Sequence, residues 1–214
     1  MLDFLITIDA SLMYFLNDTL RNPIFNWIMP WFDYDVAWRT PLIIAFLLLM
    51  IFGKKRDRII GLGAIFLLLI TDPLAYRLIK PWVSRIRPCN VLSGLNMWKD
   101  GHWIIIPDQI TQVYRGSWSF PSNHAANTGA QALWWSWAYP KTRWFWWGLA
   151  FIIGYSRIYD GVHYPGDVLV GWLVAGFAFV VVWQIGIRVA PTIVPQLKTS
   201  EVETETLPDN CERS

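Results

Sequence analysis

Charge is what this chain is short of. Lysine, arginine, aspartate and glutamate together make up 16% of the 214 residues, against about 25% in a soluble domain. The apolar share is 54% and the mean hydropathy is +0.32. The charges gather in short knots between long uncharged stretches, the pattern expected where lipid is the solvent. A net charge of +2 is too small to call for a nucleic-acid partner. Cysteine is scarce too. Cys89 and Cys211 lie far apart, so no disulfide framework and no CxxC-type metal site is implied. A basic leader is also missing: Asp3 and Asp9 stand where a cleaved signal peptide carries Lys or Arg. The N-terminus is therefore read as mature.

Tryptophan is abundant, with 15 residues, and it concentrates at membrane–water boundaries. Residues 2–20 place Phe4, Leu5, Ile8, Leu12, Phe15 and Leu16 at helical spacing, which predicts an amphipathic interfacial helix. A short helix is expected around 24–31. Membrane spans are expected at 36–52, 59–79, 125–139, 144–155 with its flanks, and 167–187, the second kinked at Asp72-Pro73. Residues 1–35 alternatively form a short first span. The expected fold is an all-α membrane protein, a bundle of five or six transmembrane helices with that interfacial helix. One membrane-embedded domain covers 1–198, with an outer-face loop at 81–122 and a polar, disordered tail at 199–214.

Basic knots at Lys54, Lys55, Arg56 and Arg58, and at Lys141 and Arg143, belong in the cytoplasm by the positive-inside rule, as do Arg188 and Lys198. Segments 80–124 and 156–167 then share the opposite face. Polar stripes mark two spans: Asp72, Tyr76 and Lys80, and His124, Asn127, Thr128 and Gln131. Asn127, Thr128 and Gln131 are read as helix–helix hydrogen-bonding groups.

Every reactive-looking cluster falls on that outer face. The clusters are Lys80 to Pro88, Pro121-Ser122-Asn123-His124, and Ser156 to Asp167. Lys80, Arg87 and Arg157 are suited to surround a phosphate, because guanidinium donors pair with its oxygens two at a time. Ser122 offers a hydroxyl. Asn123 and His124, at a helix start, offer backbone amides. His163 with Asp167 four residues on is the better nucleophile, since a carboxylate on one ring nitrogen fixes the tautomer and stabilises the cation formed. His124 is then the general acid. Singly, the basic residues Lys80, Arg85 and Arg87 read as snorkelling side chains, Ser122 and Asp167 as helix caps. Together, beside two of the three histidines, they read as a phosphate site. His102 is read as a surface residue.

The same residues carry a resemblance. The spacing Lys80, six residues, Arg87-Pro88; Pro-Ser-x-His at 121–124; and Ser156-Arg157, five residues, His163, three residues, Asp167 resembles the three-part signature of the type 2 phosphatidic acid phosphatase superfamily. The resemblance implies a metal-independent lipid phosphatase with no cofactor. In it Lys80, Arg87, Ser122 and Arg157 bind the phosphoryl group, and His163 becomes a phosphohistidine supported by Asp167. His124 protonates the leaving group. Asn123 replaces the usual Gly. If that Gly supplies a positive φ, Asn is the least costly substitute; if it allows close approach, the Asn side chain crowds or contacts the ligand.

The expected substrate is a lipid phosphate in the bilayer of a prokaryotic inner membrane, hydrolysed on the extracytoplasmic face. Candidates are undecaprenyl diphosphate, phosphatidylglycerol phosphate, phosphatidate and lipid A 1-phosphate. Phosphotransfer to a second lipid is the near alternative. Haloperoxidase chemistry is a distant one, and a lipid-binding or transport protein with a degenerate site is the non-enzymatic one. The segment 89–120 is expected to shape headgroup choice or to rest on the membrane.

Overall fold

Proline 73 decides the shape of the longest helical stretch. In the computed structural model, which describes residues 2–33, 35–109, 117–189 and 191, α4 runs over Lys55–Pro73. Pro73 has no N–H to donate, and the helix continues through a π-helical turn, Leu74–Ile79, into the short α5, Lys80–Val83. Ser84 in the left-handed region, φ 50°, ends it. The expected kink is thus a widened turn, and it delivers Lys80 to the end of the helix.

The other helices are α1 (Leu2–Tyr14), α2 (Pro23–Ile28), α3 (Asp35–Phe52), α6 (Asn123–Ala138), α7 (Arg143–Tyr159) and α8 (Pro165–Val189). Each expected span falls on one of α3, α4, α6, α7 and α8, the second running on through the π-helical turn. Among the described residues, two stretches are long and apolar enough to cross a membrane by length and composition, Lys55–Asn90 and Pro165–Val189. The expected tail at 199–214 lies outside the described residues, as does Lys198.

Helix α6 is the centre of the bundle, packed on α4, α7 and α8. Its inward face is small: Ala125, Ala126, Gly129, Ala130 and Ala132 are buried. Small residues let backbones approach where lipid supplies no hydrophobic drive. Gly171 of α8 shows how close. A Cβ there would lie 2.7 Å from the Ser122 carbonyl oxygen and 2.8 Å from the Ala125 Cβ. Helix α8 is polarised the other way outward: Leu169, Leu173, Phe177 and Val180 form an exposed apolar stripe while Ala175 and Ala178 are fully buried. Leu42, Ile43, Leu47 and Ile51 of α3 are exposed likewise. An apolar outside around a small-residue core is the arrangement a lipid solvent favours.

Polar groups stitch the helices together. Asn127 Nδ2 donates to Asp72 at 2.9 Å, and Gln131 Nε2 to the Ala64 carbonyl at 3.1 Å. Thr128 instead donates to the His124 carbonyl of its own helix at 2.7 Å. At one end of the bundle, Arg56 donates to the Ala138 carbonyl at 2.7 Å. This brings the linker before α4 to the linker after α6, so both basic knots share an end.

The opposite end carries the loops. Segment 81–122 is not wholly irregular: Asn96–Lys99 (β1) pairs antiparallel with His102–Ile105 (β2). Asp100 and Gly101, both at positive φ, make the turn, as Asp-Gly pairs do in two-residue hairpins. His102 is exposed there, as expected. Asn17, fully buried, pins the N-terminal segment to this layer. Its Nδ2 reaches the carbonyls of Asn96 at 2.9 Å and Tyr159 at 2.8 Å, and its Oδ1 accepts from the Asn96 amide at 2.8 Å. Helix α1 therefore lies on the loop face, with Phe4, Leu5, Ile6 and Leu12 exposed and Asp9 turned inward.

Candidate active site

Four helix ends converge on the loop face. They are the end of α4–α5, the start of α6, the end of α7 and the start of α8. Pro165 opens α8, where its fixed φ fits the first turn. Asp167 follows in that turn, with 0% side-chain exposure. Ser122 caps α6, its Oγ accepting from the Ala125 amide at 3.4 Å. The Ser122 amide donates to the Asp167 carbonyl at 2.9 Å, locking the two helix starts together across Gly171.

His163 sits at the centre, 3% exposed. Its amide donates to the Arg157 carbonyl at 3.2 Å. Arg87, 5% exposed, places Nη1 3.2 Å from His163 Nε2 and 2.8 Å from the Val162 carbonyl. Guanidinium only donates, so Nε2 is the acceptor and the ring proton of neutral His163 resides on Nδ1. That nitrogen faces Asp167 Oδ2 at 3.5 Å, longer than a hydrogen bond. Asp167 is committed elsewhere: Oδ2 accepts from the Tyr164 amide at 2.9 Å and Oδ1 from Arg85 at 2.8 Å. The expected His163–Asp167 pair is present as a close contact, not a formed bond. Burial, then the positive charges of Arg87, Lys80 and Arg157, hold the His163 imidazole well below the ordinary histidine range, with the Ser119 backbone opposing.

Lys80 is buried, and its Nζ donates to the Trp118 carbonyl at 3.1 Å. Arg87 Nη2 donates to Ser117 Oγ at 3.0 Å, and the Ser119 amide to the Arg85 carbonyl at 2.8 Å. Residues 117–119, within the stretch 89–120 expected to shape headgroup choice, thus form a strap over the basic segment. A cleft of about 360 Å³, lined by Tyr76, Arg77, Lys80, Pro81, Ser117 and Trp118, opens beside Lys80.

Arg157 is 3% exposed and faces two carboxylates. Nη1 donates to Asp33 at 2.7 Å and Nη2 to Asp160 at 2.6 Å. Asp33 is 47% exposed and Asp160 only 2%. Burial pushes the Asp160 carboxyl up, against the pull of Arg157. Neither acid was signalled by the motif.

His124 lies half-buried in the first turn of α6. Asn123 beside it opens the helix and is not among the positive-φ residues, so no left-handed conformation is needed there. Its Nδ2 donates to Asp72 at 3.0 Å. The side chain that replaces the usual Gly is tied to α4, alongside Asn127.

Arg85, which taken singly reads as a snorkelling side chain, is held by carboxylates. It is 22% exposed and bridges Asp9 at 2.7 Å and Asp167 at 2.8 Å, with its guanidinium 3.8 Å above the Tyr164 ring centre. Its two carboxylate partners decide its position.

Comparison with known proteins shows the family of the chain. The PAP2 superfamily model matches residues 59–189, and the chain belongs to that superfamily. It is 30% identical over 185 residues to a lipid A 4'-phosphatase of Bacteroides thetaiotaomicron, covering 83% of this chain and 76% of that one. It is 31% identical over 135 residues to an undecaprenyl-diphosphatase of Sulfolobus acidocaldarius, covering 61% and 56%. The crystal structure of Aquifex aeolicus LpxE superposes with a TM-score of 0.60 at 25% identity, covering 83% of this chain and 95% of that chain.

Proposed function

We propose, from membership of the PAP2 superfamily, that this chain is an integral membrane phosphatase that hydrolyses a lipid phosphomonoester or diphosphate through a phosphohistidine at His163. The carrying observation is His163 itself: buried, neutral, with Nε2 bearing the lone pair and three cations around it. A neutral imidazole among cations is a nucleophile set in an anion site.

In this reading, the phosphoryl group enters from the cleft beside Lys80. Arg87 turns from Nε2 to a phosphate oxygen, and Arg157 exchanges exposed Asp33 for the phosphate. Ser122 and the backbone amides of Asn123 and His124 complete the cradle at the α6 start. Nε2 attacks phosphorus, the N–P bond forms, and the P–O bond to the lipid breaks. His124 gives its proton to the departing oxygen. The Nδ1–H of the cation formed tightens onto Asp167, since such contacts shorten in the reacting complex. Water, deprotonated by His124, then attacks phosphorus, releasing inorganic phosphate and restoring neutral His163. The cations supply the charge stabilisation, so no metal is required.

The exposed apolar faces of α3 and α8 support a multi-pass reading with α3, α4, α6, α7 and α8 as spans and α1 in the interface. The basic linkers at one end support a cytoplasmic side there. The active face is then extracytoplasmic in a prokaryotic inner membrane. Names of similar proteins support lipid A phosphates and undecaprenyl diphosphate as substrates; phosphatidate and phosphatidylglycerol phosphate complete the set to test. The test is phosphate release from this panel in detergent micelles, with His163→Ala as blank and acceptor lipids checked for transferred phosphate. Release that persists in His163→Ala would sink the mechanism.

A further inference from the structure

The charged residue nearest the reacting pair, apart from the motif, is Arg85, and it is held by a residue from the far N-terminus. Asp9 of α1 does two things at once. Its Oδ2 pairs with Arg85 Nη2 at 2.7 Å. Its Oδ1 accepts from the Gly166 amide at 2.7 Å, an orphan donor in the first turn of α8. A Cβ at Gly166 would lie 2.8 Å from Asp9 Oδ2, so glycine is what lets the carboxylate seat on that turn. The next residue is Asp167, and Arg85 Nη1 grips its Oδ1 at 2.8 Å. Asp9 and Asp167 are 14% and 0% exposed, and Arg85 22%.

We propose that Asp9 and Arg85 are positioning residues for Asp167, so that helix α1 completes the active site. The proposal rests on the phosphohistidine reading. Asp167 has two oxygens and four claimants: Arg85, the Tyr164 amide, the Ser119 hydroxyl and the His163 ring. Arg85 holds Oδ1, which turns Oδ2 toward Tyr164 and His163. The planar fork of Arg85 reaches both carboxylates from one side chain, and its stacking on Tyr164 fixes the plane. Without Arg85, Asp167 is a fully buried carboxylate left with the Tyr164 amide and the Ser119 hydroxyl, and Oδ1 loses its charged partner. Without Asp9, Arg85 has one partner and the first turn of α8 loses its cap.

The role predicts a pattern that loss of packing alone does not produce. In purified full-length protein, Arg85→Ala lowers kcat about 10- to 100-fold, by analogy with the loss when the partner that orients a metal-ligating side chain is removed. KM stays within about threefold, because Arg85 touches Asp167 and not the phosphate. Arg85→Lys recovers part of the loss. Asp9→Asn, which keeps an acceptor for Gly166, lowers kcat less. Asp9→Asn combined with Arg85→Ala is no slower than Arg85→Ala alone, because coupled residues are not additive.

A second readout is independent of turnover. The chain has three histidines, so the ¹⁵N imidazole signals of His163 are assignable by His163→Ala. Arg85→Ala shifts them in the ligand-free protein, and Arg85→Lys restores them. A wild-type kcat and unshifted His163 signals in Arg85→Ala would overturn the proposal. A rise in KM at constant kcat would do so as well, since Arg85 would then be a phosphate ligand. If the wild-type protein hydrolyses no lipid phosphate, the phosphatase reading fails, and the imidazole signals alone decide whether Arg85 orients Asp167.

Discussion

Replacing Asp167 by asparagine tests the site most sharply, because the structure separates its effect on rate from its effect on folding. The side chain keeps its size and loses one acceptor oxygen and its charge. At present the carboxylate accepts from Arg85 at 2.8 Å and from the Tyr164 amide at 2.9 Å. Asparagine has one acceptor, so one of those donors must face an NH₂ group. An unsatisfied buried donor costs about 1–3 kcal/mol. Arg85 retains Asp9 at 2.7 Å and is 22% exposed, so the cost belongs at the low end of that range. The rate effect is larger. Asp167 Oδ2 lies 3.5 Å from His163 Nδ1, and a unit charge pair at such a distance is worth about 4 kcal/mol at an effective dielectric of 20. That stabilisation exists only when His163 becomes cationic, so it acts on the barrier. At about 1.4 kcal/mol per tenfold, kcat falls roughly 10³-fold. The assay is phosphate release from a detergent-solubilised lipid phosphate, with thermal unfolding followed in parallel. A kcat within tenfold of wild type, in folded protein, would refute the reasoning: Asp167 would then be only a helix-terminus residue.

Acid should destabilise the fold through His163. Its folded-state pKa lies below the unfolded value, so the unfolded chain binds the proton first and stability falls as pH drops below about 6.5. His163→Gln should flatten the melting-temperature profile between about pH 7 and 5, and an unchanged slope would argue against a neutral buried His163. Asp33→Asn removes a carboxylate that competes with phosphate for Arg157; KM should fall several-fold at constant kcat, whereas a higher KM would mean that Asp33 holds Arg157 in place. Gly171→Ala forces a Cβ to 2.7 Å from the Ser122 carbonyl, which should cost about 1–3 kcal/mol in stability by overpacking and lower activity with it; a wild-type melting temperature would count against the α6–α8 contact. Activity should survive EDTA, and a loss restored by added divalent metal would overturn metal-independent chemistry.

The motif residues were legible because their chemistry and spacing are local. Lys80 and Arg87, or His163 and Asp167, stand a fixed number of residues apart, and a helix end turns that number into a place. Helices α3, α4, α6, α7 and α8 were legible because long uncharged runs admit few other structures. The hairpin at 96–105 was not read, although Asp100-Gly101 is a turn signal, because its strands span four residues each and show no clean alternation. Arg85 was given no role of its own for a physical reason. A basic side chain at a membrane boundary snorkels by default, and only carboxylates from distant chain segments override that.

What the sequence by itself determined is the chemistry: the histidines, the basic residues and the apolar runs that bring them to one face. What only the tertiary structure decided is how they are held. Asp9 and Asp33 lie more than seventy and one hundred residues from the arginines they grip, and no local pattern encodes such a pairing. The tautomer of His163, the anchoring of Asn123 by Asp72 and the seat of Asp167 follow from contacts across helices. Charge placed in a buried site is governed by whatever partners the fold brings within a few ångströms, whatever their distance along the chain.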